Sequence, residues 1–244
     1  MNHSKDIEKV LQEIILELSK EDAPIIFKGA MALKELLYLN NPNIDITRKT
    51  RDIDANWIEE YDEERIIDVI DRAVKRVNSE YSVSVYREPA PNKSMGIKVL
   101  DKDGSVFTKI DMDIKDNPFY IVCNEDDVNI KYSSFDKMMS DKLYSLSSTH
   151  VFRRVKDLLD VYLILKDNDI EKENIEKVLE YENRKLDDFD TILNNKEEIE
   201  KSYNSLEGII NKPDFDIVWD YVFDYLEKEK FIKHDKNKDF DLER

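Results

Sequence analysis

The chain has 244 residues and sets 38 Lys and Arg against 55 Asp and Glu, a formal net charge of -17. Hydrophobic residues reach 41%, so wholesale disorder is excluded, and the acidic balance excludes a globally basic nucleic-acid binder. A single cysteine, Cys123, excludes an internal disulfide framework and a cysteine-cluster metal site, and His3, His150 and His234 lie too far apart for a local metal pair.

Ile7, Val10, Leu11, Ile14, Ile15 and Leu18 recur at helical spacing, so an amphipathic helix is predicted over residues 5–19. It is acidic and has no leader-like apolar centre. No apolar run approaches the roughly 18 residues of a membrane span. A soluble, cytoplasmic protein with no membrane partner is expected. Pro24 ends the first helix and PIIF reads as a short buried strand. Gly29 turns the chain into the helix AMALKELLYL, and NNPNID is loop. DIDANW alternates as a strand with Asp52 and Asp54 on one face and Ile53 and Ala55 on the other. EERIIDVIDRAVKRV is an amphipathic helix. YSVSVYR, GIKVLD and SVFTKIDMDI are strand-like, the last two joined by the turn Asp101-Lys102-Asp103-Gly104. FYIVC and VNIKY are shorter strand candidates.

From Ser134, a plausible helix N-cap, the pattern becomes helical: 133–148, 155–166, 174–185, 196–210 and 214–231, with a charged, frayed tail at 234–244. An α/β or α+β domain over residues 1–130, a mixed sheet flanked by helices, is therefore expected to precede a helical domain over 131–244. Charge follows this division. Residues 157–244 carry 26 acids and 14 bases, whereas 131–156 carry six bases and two acids. That positive stretch reads either as a solvated helix face or as a pocket for a polyanion.

Three features bear chemistry. Lys28-Gly29-Ala30 is a small-residue turn between strand and helix, where backbone N–H groups can meet a phosphate, although close packing uses the same pattern. In Arg48-Lys49-Thr50-Arg51-Asp52-Ile53-Asp54, two carboxylates at i and i+2 of a strand project the same way and offer hard oxygen ligands for divalent cations; exposed surface acids would look the same. Lys109-Ile110-Asp111-Met112-Asp113 repeats the arrangement. A third carboxylate from a neighbouring strand would complete a two-metal phosphoryl-transfer site, the alternative being an edge strand that uses charge against aggregation.

KGAMALKELL followed by RKTRDIDANW resembles the AbiEii/AbiGii-type nucleotidyltransferases, a toxin-containing family of the DNA-polymerase-β-like nucleotidyltransferase superfamily. Arg48, Thr50, Asp52 and Asp54 fit its Arg-x-Thr-x-Asp-Ile-Asp motif, and Asp111 its third acidic position, with Asp113 the close alternative. SFDKMMSDKLYSL is similar to the helix bearing the family's lysine, at Lys142, and RRVKDLLDVYLIL to its later Arg-Asp-x-x-Asp-x-Tyr helix, at Lys156, Asp157, Asp160 and Tyr162. The resemblance spans about residues 24–166. It departs from the family at Ala30, which lacks a hydroxyl, and at Lys156, which lacks the guanidinium fork.

The resemblance implies transfer of a nucleoside monophosphate from an NTP to an acceptor. Asp52, Asp54 and Asp111 or Asp113 would hold two magnesium ions, with manganese as a substitute. Gly29 and Ala30 would cradle the triphosphate, Lys142 would neutralise its tail, and Arg153, Arg154 and Lys156 would add charge. Asp157 or Asp160 would orient Lys142 or meet the base. It implies as acceptor RNA, such as a tRNA end, or a protein side chain, and as partner a winged-helix antitoxin of a toxin–antitoxin or abortive-infection system. The competing readings are a catalytically altered binding module of the same fold and a two-metal nuclease.

Overall fold

The structure is a computed structural model describing residues 3–88 and 94–232; the tail 234–244, expected to fray, lies outside the described residues. In chain order the first elements are α1 (His3–Lys20), β1 (Ile25–Lys28), α2 (Gly29–Asn40), β2 (Thr47–Arg48), β3 (Asp52–Trp57), α3 (Glu63–Val77) and β4 (Ser82–Arg87). Then come β5 (Ser94–Leu100), β6 (Val106–Ile114), β7 (Tyr120–Glu125), β8 (Val128–Ser133) and α4 (Phe135–Leu146). A 3-10 turn (Val151–Arg153) leads to α5 (Val155–Asp167), α6 (Lys172–Tyr181), α7 (Asp190–Leu193), α8 (Lys196–Asn204), β9 (Ile209–Ile210) and α9 (Phe215–Lys228).

The chain forms two compact units: one runs to Met138 and takes in Gly208–Ile210, and the other holds Met139–Glu207 and the residues from Asn211. The first is built on a seven-stranded mixed sheet in the order β4-β5-β6-β3-β1-β8-β7. The β3/β6 and β1/β8 pairs are parallel, and the other neighbours antiparallel. This is the α/β class expected, with helices among the strands. On β3, β5 and β6 the alternation sends Ile53, Ala55, Trp57, Ile97, Val99, Ile110 and Met112 into the core. The buried side of α3 (Ile66, Val69, Ile70, Ala73, Val74) and that of α1 (Leu11, Ile14, Ile15, Leu18) join them. Each of the Ile, Leu, Val and Met side chains among them contributes about 1.5–3 kcal/mol on burial. Central β1 is buried throughout Ile25, Ile26 and Phe27, as a strand covered on both faces requires.

Local signals account for many boundaries. Asp62 Oδ1 accepts the Arg65 N–H and caps α3, with Glu63 and Glu64 in its first turn and Lys75 and Arg76 in its last. Ser134 Oγ accepts the Lys137 N–H at the start of α4. Asp101 Oδ1 takes the N–H groups of Asp103 and Ser105, while Gly104 adopts φ +77° and closes the β5–β6 turn. Asp126 and Asp127, both at positive φ, make the tight β7–β8 hairpin.

The second unit is helical. α5 is buried from Asp157 to Leu165, and the aromatic row on α9 packs internally, with the Trp219 and Phe223 rings stacked at 4.1 Å. Tyr221, by contrast, is exposed and donates to the Leu165 carbonyl. The continuous helix expected over 196–210 does not form. α8 ends at Asn204, Gly208 takes φ +72°, and Ile209–Ile210 pairs instead with Thr47–Arg48 in the first unit. Helical periodicity extends past Asn204 by composition alone, and a left-handed glycine ends what it suggests. No helix among the described residues is long and apolar enough to cross a membrane.

Candidate active site

The segment Arg48–Asp54 is held at three successive residues. Lys49 donates its N–H to the Gly208 carbonyl at 2.9 Å, beside the β2–β9 pair. Buried Thr50 donates its N–H to Glu8 Oε1 of α1 at 3.1 Å, and Lys34 holds the other Glu8 oxygen at 2.8 Å. Arg51 offers its carbonyl to the Thr108 hydroxyl at 2.5 Å. The chain therefore enters β3 with its register fixed, and the face bearing Asp52 and Asp54 is set.

Asp54 occupies the middle of the acidic face. In the ladders it lies opposite Lys28 on β1 and opposite Asp111 on β6. Asp52 stands opposite Lys109, and Asp113 opposite Asn56. Since Ile53 and Ile110 are paired and buried, the acids of both strands share the other face. Gly29, at φ +70°, fills the turn between β1 and α2, and a Cβ there would overlap the Asp54 carboxylate. The turn thus touches the acidic strand directly. The α2 N-terminus, where Gly29 and Ala30 stand, receives no side-chain cap and has no acid in its first turn; uncapped leading N–H groups of this kind favour an anion.

The two candidates for the third acid differ. Asp113 is bound by Lys28 at 2.5 Å and sits beside buried Asn56. Asp111 neighbours Asp54 and receives two donors on one oxygen: Tyr86 Oη and an Arg87 terminal nitrogen each stand 2.7 Å from Oδ1. Among the described residues Oδ2 accepts nothing. Tyr86 reaches that far because β5 carries Gly96 where the ring crosses: a Cβ at Gly96 would stand 2.6 Å from the Tyr86 ring. Burial, then the bond to Asp111, pushes the Tyr86 phenol up to about 12, so it donates throughout the neutral range.

Hard carboxylate oxygens of Asp52, Asp54 and Asp111 on one face fit a divalent cation in donor chemistry, and Asp111 keeps an oxygen for it. Among the described residues no three His, Cys, Asp or Glu side chains gather at one point. Paired acids across a ladder repel, and Arg87 and Lys28 offset part of that charge.

The remaining predicted residues belong to the second unit. Lys142, buried on α4, donates to Asp157 Oδ1 and Asp160 Oδ2 of α5, both at 2.7 Å. Arg154 Nε lies 2.7 Å from the other Asp157 oxygen, a charge contact without hydrogen-bond alignment. Burial alone would lower the Lys142 ammonium, but Asp160 and Asp157 outweigh it and hold its pKa above the ordinary lysine value. The group is neutral as a set. Arg153 and Lys156 are exposed. Geometry thus joins Lys142, Arg154, Asp157 and Asp160 in one cluster, and joins Gly29, Asp52, Asp54 and Asp111 in another, with Asp113 turned to Lys28.

Tyr86, Arg87, Gly96 and Glu8 did not stand out in the sequence. The available signal was Gly96, one of only four glycines, standing inside a strand pattern where close approach of a neighbour is the usual reason.

Among curated proteins none matches the sequence. Solved structures share the fold. JHP933 from Helicobacter pylori superposes with a TM-score of 0.58 at 14% identity, covering 95% of this chain and 96% of its own. MenT4, a nucleotidyltransferase toxin from Mycobacterium tuberculosis, gives 0.57 at 11% identity, with 95% and 85% covered. The family model described as "Nucleotidyl transferase AbiEii toxin, Type IV TA system" matches residues 9–221, both units included, and by that match the chain belongs to the AbiEii nucleotidyltransferase family and is a nucleotidyltransferase.

Proposed function

We propose that the protein is the metal-dependent toxin of a toxin–antitoxin or abortive-infection pair, moving a nucleoside monophosphate from an NTP to a hydroxyl of an acceptor, with RNA such as a tRNA end ahead of a protein side chain. One observation carries this reading: Asp54 lies against the uncapped Gly29 turn and beside Asp111, so an uncapped helix start and a pair of carboxylates meet. In the reaction the acceptor hydroxyl gives up its proton to solvent, its oxygen bonds to the α-phosphorus, the bond from that phosphorus to the bridging oxygen breaks, and pyrophosphate leaves.

Asp52, Asp54 and Asp111 would hold magnesium, or manganese in its place, which supplies charge neutralisation and lowers the pKa of the attacking hydroxyl. Asp111 rather than Asp113 is the third ligand proposed, because Asp111 lies directly opposite Asp54 in the β3–β6 ladder while Asp113 stands opposite Asn56 and is paired with Lys28. The N–H groups of Gly29 and Ala30 receive triphosphate oxygens. Lys142, held by Asp157 and Asp160, is the cation assigned to the phosphate tail, and Arg153, Arg154 and Lys156 add charge. The family description names a toxin–antitoxin system, and a winged-helix antitoxin in the cytoplasm is the partner proposed.

The test incubates protein, magnesium and each labelled NTP with total bacterial RNA, beside Asp52→Ala and Asp54→Ala. Label on RNA that both variants lose supports the reading. Label on protein moves the acceptor to a side chain. Shortened, unlabelled RNA supports a nuclease, and absence of all three outcomes overturns transfer in favour of a binding module.

A further inference from the structure

On the same sheet face as the acids, Lys98 of β5 stands directly opposite Lys109 of β6. Like charges opposed across a ladder are destabilising. Both ammonium groups lie near the Tyr86 ring, Lys98 Nζ at 5.3 Å and Lys109 Nζ at 5.5 Å from its centroid, close enough for the ring to offset part of the repulsion. Neither lysine makes an ion pair among the described residues, although the chain carries 55 acids to 38 bases. Lys109 is the ladder neighbour of Asp52, two residues from Asp111. Two such adjacent cations, half-exposed in so acidic a protein, are arranged for an anion.

Strand order sets the lysines apart from the Gly29 turn. The sheet runs β4-β5-β6-β3-β1, and the turn fitted for a triphosphate follows β1. The lysines stand on β5 and β6, on the opposite flank of the acids. A nucleotide lying on the Gly29 turn would leave them to the incoming acceptor.

We infer that Lys98 and Lys109, held over Tyr86, form a subsite for backbone phosphates of a single-stranded RNA acceptor, delivering its terminal hydroxyl to the Asp111 side of the site. This rests on the transfer reading above and narrows its acceptor to nucleic acid. Exposed Lys102, in the β5–β6 turn, serves as the control.

The experiment measures anisotropy of a short fluorescein-labelled single-stranded RNA with the full chain across a potassium chloride series, without metal or nucleotide. Lys98→Gln and Lys109→Gln should each weaken binding and lower the slope of log affinity against log salt by about 0.7, the value for one phosphate contact on a single strand. Lys98→Arg and Lys109→Arg should restore both, and Lys102→Gln should change neither. In the transfer assay the Gln variants should raise the KM for RNA and leave kcat and NTP binding unchanged. Unaltered affinity and slope in the double Gln variant overturn the inference, as does lysine-dependent binding of polyglutamate in place of RNA. RNA binding that depends on the lysines, from a protein that transfers nothing, supports the subsite and overturns the transfer reading alone.

Discussion

Gly29 is the position at which one methyl group has the largest foreseeable effect. Its φ is +70° and its missing Cβ leaves the room that the Asp54 carboxylate fills. Gly29→Ala should cost about 1–2 kcal/mol in urea unfolding from backbone strain alone. It should also abolish NTP binding by calorimetry, because the turn and the acid can no longer both keep their places. Tyr86 is subtler. Tyr86→Phe removes one of two donors on Asp111 Oδ1 and should lower transfer several-fold while leaving the melting temperature nearly unchanged. Gly96→Ala, whose Cβ would meet the same ring at 2.6 Å, should reproduce that loss. Glu35 is buried on α2 with Gln12 as its donor, and burial raises its pKa above 4.5. A raised acid favours the folded state while protonated, so that stability is complete below pH 4.5 and lost as pH rises through the folded value. Glu35→Gln should therefore melt higher than the parent at neutral pH, and the difference should vanish in acid.

At the scale of elements, what was legible is what short-range periodicity encodes. The alternation of DIDANW and TKIDMDI placed Asp52, Asp54, Asp111 and Asp113 on faces without knowledge of their partners, and the β5–β6 turn was readable from Asp101 to Gly104. Other features depended on distant residues. β9 is two residues long, and only its pairing with Thr47–Arg48 makes it a strand. The Tyr86–Asp111 bond requires the register of three successive strands and a bulge after Val85. The preference for Asp111 over Asp113 depends on the parallel register of β3 and β6, which sets Asp111 opposite Asp54 and Asp113 opposite Asn56. Entry into β3 offers a test at this scale. Glu8→Ala removes the acceptor of the Thr50 N–H and the partner of Lys34. It should cost about 1–3 kcal/mol, as for a buried donor left unsatisfied, and amide exchange at Thr50 should quicken more than at α3.

Across the whole molecule, an acidic body of net charge -17 keeps a few cations where they are internally needed. Lys142 is the clearest, since its removal leaves Asp157 and Asp160 buried without their donor. Lys142→Met should destabilise by about 3–5 kcal/mol in denaturant unfolding, and combination with Asp157→Asn and Asp160→Asn should recover much of it. Its folded pKa exceeds 10.5, so the stability it confers is full below that value and is lost as pH rises through the folded one. Alkaline unfolding of the parent should show that loss, and the Met variant should lack it. Charge pattern alone hides the pairing, because α4 and α5 each present ordinary mixed charge; the family resemblance is what points to Asp157 or Asp160 as the partner of Lys142, and both bonds form.

The two-residue strand β9 has a consequence for how this chain can be taken apart. The sheet-bearing unit is not one continuous stretch of polypeptide, because Gly208–Ile210 completes it from beyond α8. A fragment ending at Met138 would present Thr47 and Arg48 without their antiparallel mate and Lys49 without its acceptor carbonyl, directly upstream of Asp52. Proteolysis at the segment after Asn204 would uncouple the same clasp while leaving every acidic residue in place. A peptide spanning residues 205–212, supplied separately, is then the natural complement to such a fragment, and its binding would report the state of the strand that carries the acids.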